Sequence, residues 1–106
     1  LGARVACRTA EATGAVGVLC LAFPLQPPRR AGSAPAESRL HELDAVPVAT
    51  LVVQGDRDPF GMPPASPRRR VVQVPGDHGL RTGLDRAVAA VRAWLPAVLV
   101  EAAARP

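Results

Sequence analysis

The chain contains no lysine and no tyrosine, and Phe23, Phe60 and Trp94 are its only aromatic residues. With rings to stack bases nearly lacking, a formal charge of +4 is a weak basis for reading a nucleic-acid binder. All 13 basic residues are arginine, spread along the sequence as a compositional habit, so no nucleic acid is expected among the partners. A core this poor in aromatics must be assembled from Ala, Val and Leu, and 48% of the residues are hydrophobic. That composition favours helices packed on a parallel sheet over an aromatic-rich sandwich.

Long apolar runs are missing too. The longest, Ala15 to Phe23, falls well short of the roughly 20 residues that span a bilayer, so no membrane partner is expected. Cysteine is scarce: Cys7 and Cys20 stand in apolar surroundings without metal-ligand spacing. Both are expected as small, buried, unbridged core residues in a reducing, cytoplasmic compartment, and neither a metal nor a cofactor is expected. At 106 residues the chain has the size of one domain.

What is present is an alternation of helical and strand-like segments. Leu1 to Thr13 is Ala-rich, with Arg4, Arg8 and Glu11 on a solvent face and Gly14 as a stop, which predicts a helix. Residues 15–22, AVGVLCLA, form an apolar run bounded by Gly14 and Pro24, the pattern of an interior parallel strand. The proline-rich loop 24–46 follows in the position of a cap or lid, with one helical turn around Arg39 to Leu43. Its Arg29 and Arg30 read either as a solvated face or as a means of steering an anionic substrate. His41 is expected to be exposed and structural.

Further strands are predicted near 48–54 and 71–75, the latter preceded by Arg68-Arg69-Arg70, expected as a soluble edge. Thr82 is a candidate N-cap for a helix from Leu84. The stripe Leu84, Val88, Val91 and Leu95 recurs at helical spacing, and Pro96 is expected to kink or end the helix before a last piece from Val98 to Ala104. The order predicts an α/β fold with three parallel strands and flanking helices. The first of those strands would have an open neighbour position, as if earlier strands were absent.

Chemistry-bearing residues gather where two of the strands end. VATLVVQGDRDPFG, residues 48–61, runs from a buried strand through Gly55 into a turn with Asp56 and Asp58, and the strand at 71–75 ends in Gly76-Asp77-His78-Gly79. In open α/β sheets the carboxyl edge is where ligands bind, so an acid and a base would be presented side by side. The alternative reading of Asp58 is a cap for the turn that follows it. Asp56 reads as a turn former, and Asp77 as a solvated residue or one that holds the histidine loop.

These two loops and the small-residue helix that follows Leu1-Gly2 together resemble the C-terminal half of an α/β-hydrolase, from Leu1 to Leu95. In that family the nucleophile sits in a G-x-S-x-G elbow, and the acid and histidine follow in that order on later strand ends. Leu1-Gly2 before a small-residue helix resembles the end of the elbow, GDRD the acid turn and GDHG the histidine loop. The small, capless, dienelactone-hydrolase-like group is the most similar, matched also by Phe23-Pro24, Pro27-Pro28 and the run VQGDRDPFG. Gly79 departs from the pattern, because relatives often carry a small hydroxyl residue after the histidine.

The resemblance implies a serine hydrolase of small ester or acyl substrates, with Asp58 and His78 catalytic and the backbone N–H of Leu1 donating to the oxyanion. The nucleophile would lie just upstream of Leu1, leaving the chain inactive by itself. Phe23, Phe60 and Met62 are candidates for the pocket wall, with core or loop packing the alternative. A non-catalytic, hydrolase-like scaffold that binds a protein partner is the alternative for the whole, since fold does not fix function.

Overall fold

The computed structural model describes residues 2–27 and 37–104. Leu1, Arg29 and Arg30, together with the rest of 28–36, lie outside the described residues. The elements are α1 (Gly2–Thr13), β1 (Gly17–Leu21), α2 (Leu40–Asp44), β2 (Ala49–Gly55), β3 (Arg69–Val74) and α3 (Leu84–Ala103). The strands form one parallel sheet in the order β1-β2-β3, with Gly17 opposite Ala49 and Gly55 opposite Val74. The expected three parallel strands with flanking helices are therefore present, and β1 has no second neighbour among the described residues.

Each strand's sequence reflects what covers it. Leu51, Val52, Val53 and Gln54 of central β2 are fully buried, because β2 has a strand on either side and a packed layer on each face. On one face Val18, Cys20 and Val52 meet Cys7 and Ala10 of α1 and Leu43 of α2. On the other, Leu51, Val53 and Val74 meet Ala87, Trp94 and Val98 of α3. Edge strand β1 alternates instead, with Val18 and Cys20 buried and Leu19 and Leu21 exposed.

Helix α1 is about 18 Å long and returns into β1 through the 14–16 turn. Cys7 lies about 9 Å back from the helix end and Cys20 about 10 Å along the strand. Their contact at 3.6 Å is what antiparallel packing of helix on strand demands. The first turn of α1 consequently rises to the carboxyl edge of the sheet.

Four features differ from expectation. First, α3 does not end at Pro96 but continues through it to Ala103, with Trp94 before it and Val98 after it buried against the sheet and Pro96 itself exposed. Second, an apolar stripe on a surface helix ordinarily faces the core, yet of the four residues in this one only Val91 packs there; Leu84, Val88 and Leu95 are exposed, and Ala87, Trp94 and Val98 take the core side. Gly17 permits this: a Cβ there would stand 2.9 Å from Val98 and 3.2 Å from Trp94, so only glycine lets α3 settle on that face. Leu84, Val88 and Leu21 border an apolar trough beside β1.

Third, Arg69 is buried, unlike its exposed neighbours Arg68 and Arg70. Strand alternation turns it inward, where Nε donates to the Pro64 carbonyl at 2.8 Å and Nη1 to Asp44 at 3.0 Å. Fourth, Thr82 does not cap α3. Gly83 holds the cap position, since a Cβ there would strike Val74 and the Pro75 carbonyl, and the Thr82 hydroxyl donates to Pro75 at 2.9 Å. Among the described residues no helix is long and apolar enough to cross a membrane.

Two measurements check this packing. Trp94→Ala is expected to lower unfolding stability in urea by about 3–5 kcal/mol, against within about 0.5 kcal/mol for Leu84→Ala on the outward stripe. Equal losses would contradict the assignment of the buried face. The second concerns the two hydrogen bonds by which Arg4 joins α1 to Glu42 of α2, at 3.0 and 2.8 Å. They hold the Glu42 carboxyl below the usual carboxylate range. A depressed folded-state value means the stabilisation is complete above the unfolded value of about 4.3 and disappears as pH falls through the lower folded one. The melting temperature should fall across that acid window, and Arg4→Met should flatten the fall.

Candidate active site

The site begins with the way β2 and β3 leave the sheet. Beyond Gly55 the chain continues to pair: the Asp56 N–H donates to the Val74 carbonyl and the Arg57 N–H to the Gly76 carbonyl, both at 2.8 Å. The Asp56 carboxylate adds a third tie by accepting from the Gly76 N–H at 3.1 Å. A Cβ on Gly55 would run into the carbonyls of Gly76 and Asp77, so only glycine allows the two loops to stack this closely. Gly76 itself, at φ 126°, takes a conformation that side chains disfavour.

Asp58 then turns inward. The Asp58 N–H donates to the Gly55 carbonyl and the Gly61 N–H to the Asp58 carbonyl, closing two tight turns around it. Its side chain is fully buried. One carboxylate oxygen accepts from the Phe60 N–H at 2.8 Å, and the other lies 2.8 Å from Nδ1 of His78. A carboxylate oxygen accepts, so in this contact Nδ1 is the nitrogen that donates, which leaves Nε2 as the one turned away from the acid. The imidazole is about one third exposed, and the Phe60 ring packs against it with centroids 4.6 Å apart and tilted by 53°.

The histidine loop is held from its own side by Asp77, which accepts from the Gly79 N–H at 3.0 Å through its carboxylate. The Leu80 N–H donates to its carbonyl at 3.3 Å. Asp77 is exposed and works on the loop, and Asp56 joins the two loops. A residue without an assigned role in the sequence reading also proves central. The buried Gln54 side chain accepts from the Phe23 N–H and donates to the carbonyls of Phe23 and Gly61, each at 2.8 Å. It thereby ties the exit of β1 to the end of the acid turn. A single amide in an otherwise apolar strand was the available signal, because a polar group in such a place must find partners.

Of the sequence-predicted residues, Asp58, His78 and Phe60 converge. Phe23 is fully buried in the core on the α1 side, at the exit of β1, and Met62 is half-buried just past the acid turn. Leu1 lies outside the described residues, although the first turn of α1 that follows it stands at the same edge of the sheet. Among the described residues no group of three His, Cys, Asp or Glu could hold a metal ion.

A buried carboxylate holding one nitrogen of a half-open imidazole can orient that ring, fix its tautomer and stabilise the cation formed when the other nitrogen takes a proton. The arrangement is thus equipped to withdraw a proton from a hydroxyl and return it. No curated protein and no solved structure matches the chain. The family model described as an alpha/beta hydrolase domain matches residues 1–82, a span that includes all three strands, Asp58 and His78. Order of elements, parallel sheet and family match agree, and the chain belongs to the alpha/beta hydrolase domain family.

Proposed function

We propose that this chain supplies the acid and base of a serine hydrolase that cleaves small carboxylic esters or related acyl compounds. The observation that carries the reading is the 2.8 Å contact between the buried Asp58 carboxylate and Nδ1 of His78, at the sheet edge where α1 begins. In this reading a serine immediately before Leu1 is the nucleophile. Nε2 of His78 takes its proton as the hydroxyl attacks the acyl carbon, then passes that proton to the leaving alcohol. A water molecule, deprotonated by the same nitrogen, releases the acid. Asp58 orients the ring throughout, and the Leu1 N–H donates to the oxyanion, an interaction worth about 3–4 kcal/mol in related chemistry.

Phe60 forms part of the acyl pocket wall in this proposal, since its ring already lies on His78. Phe23 would act only from behind, through its backbone bonds to Gln54. Within the family, Phe23-Pro24, Pro27-Pro28 and the runs VQGDRDPFG and GDHGL favour the dienelactone-hydrolase-like group. A protein-binding scaffold is the second reading, and the apolar trough beside Leu21, Leu84 and Val88 is what favours it.

The test is labelling with a fluorophosphonate. The 106-residue chain alone should not react, whereas the same chain extended upstream in its reading frame should be labelled at the serine before Leu1 and should turn over short-chain esters. His78→Ala in the extended protein should lower kcat by about 10⁴–10⁶-fold and Asp58→Asn by about 10⁴-fold. Labelling of the short chain at Ser33, Ser38 or Ser66 would overturn the position given to the nucleophile. An extended protein without esterase activity would favour the scaffold.

A further inference from the structure

Outside the dyad, one nucleophilic pair has no part in the proposed chemistry. Cys7 of α1 and Cys20 of β1 are both buried and unbridged, with their sulfurs 3.6 Å apart. A disulfide requires about 2.05 Å, so bonding asks for roughly 1.5 Å of closure between two side chains that already face one another. We propose that Cys7 and Cys20 form an oxidative modification site, closed by hydrogen peroxide into a reversible disulfide that fastens α1 to the sheet.

The pair has an approach and an internal asymmetry. Cys7 lines a cavity of about 520 Å³ together with Arg4, Arg8, Glu11, His41 and Glu42, so a small polar oxidant can reach it from the α1–α2 side. Cys20, at 0% exposed, is reached only through its partner. The hydrogen bond between the thiols lowers the Cys7 value, and the same bond and burial push Cys20 upward. Cys7 is therefore the thiolate that attacks, and Cys20 the thiol that resolves.

The chemistry balances in two steps. The Cys7 thiolate attacks one peroxide oxygen and breaks the O–O bond; the hydroxide that leaves takes up a proton as water, and Cys7 becomes a sulfenic acid. The Cys20 sulfur then attacks the Cys7 sulfur and breaks its S–O bond. Hydroxide leaves and takes the Cys20 proton as a second water. Two thiols are oxidised, one peroxide is reduced, and a dithiol reverses the bond by exchange.

The experiment exposes the reduced 106-residue chain to hydrogen peroxide in native buffer and in denaturant, followed by thiol titration, intact mass and peptide mapping. In native buffer both thiols should disappear together with the loss of two hydrogen masses, within one chain, roughly tenfold or more faster than in denaturant. Dithiothreitol should restore both. Cys20→Ser should stop at a Cys7 sulfenic acid that dimedone traps. Thiols that survive in native buffer, disulfides between chains, or pairing no faster than in the denatured chain would each overturn the proposal, and the unsubstituted chain decides the matter even if the variant fails to fold.

Discussion

Gly55 and Val74 are partners in the parallel register, so β2 and β3 leave the sheet at the same height and their loops emerge side by side. Two backbone hydrogen bonds, from Asp56 and Arg57, carry the pairing past the ends of the strands before the loops diverge. The dyad follows from that extended zipper. Asp58 and His78 meet at 2.8 Å because each sits a fixed number of residues beyond a strand end whose position the ladder has set. Sheet register, normally a matter of which face is buried, here also sets the distance between an acid and a base.

The surroundings keep that arrangement stiff. The core is built from Val, Leu and Ala with Phe23 and Trp94 as its large members, and β2 is sealed on both faces. Polar groups enter this interior only with partners: Gln54 has three hydrogen bonds, Arg69 has Asp44 and Pro64, and among the described residues no buried side-chain nitrogen or oxygen lacks one. An unsatisfied group in such a place would cost about 1–3 kcal/mol. Gln54 and Arg69 are therefore fasteners as well as buried polar groups, one tying the acid turn to β1 and the other tying α2 to the start of β3.

Much of this was legible in the residues. Continuous apolar runs ending in Gly-Asp turns located β2, β3 and both loops, since buried parallel strands and their exits have local signatures. The strand exits offered Asp56, Asp58 and His78 alike, the resemblance to a G-x-x-D acid turn favoured Asp58, and the contact of Asp58 with His78 is what the structure adds. What escaped depends on neighbours distant in sequence. The stripe of Leu84, Val88 and Leu95 is as periodic as the stripe that packs, and the choice between them was made by Gly17 across the sheet, whose missing side chain admits Trp94 and Val98. Arg69 looked like its neighbours until strand alternation pointed it at Asp44, and at Pro96 the helix continues between two residues buried against the sheet. The Thr82 cap gave way to Gly83 because no side chain fits beneath Val74 and Pro75.

The absent side chain at Gly55 has a consequence for how such a sequence can drift. The carbonyls of Gly76 and Asp77 occupy the space a methyl group would need, so the acid turn and the histidine loop share one volume. Neither can be rebuilt alone. Any lineage that enlarges position 55 must remodel the backbone at 76 and 77 in the same stroke, and alterations in the two loops are bound to be inherited as a set.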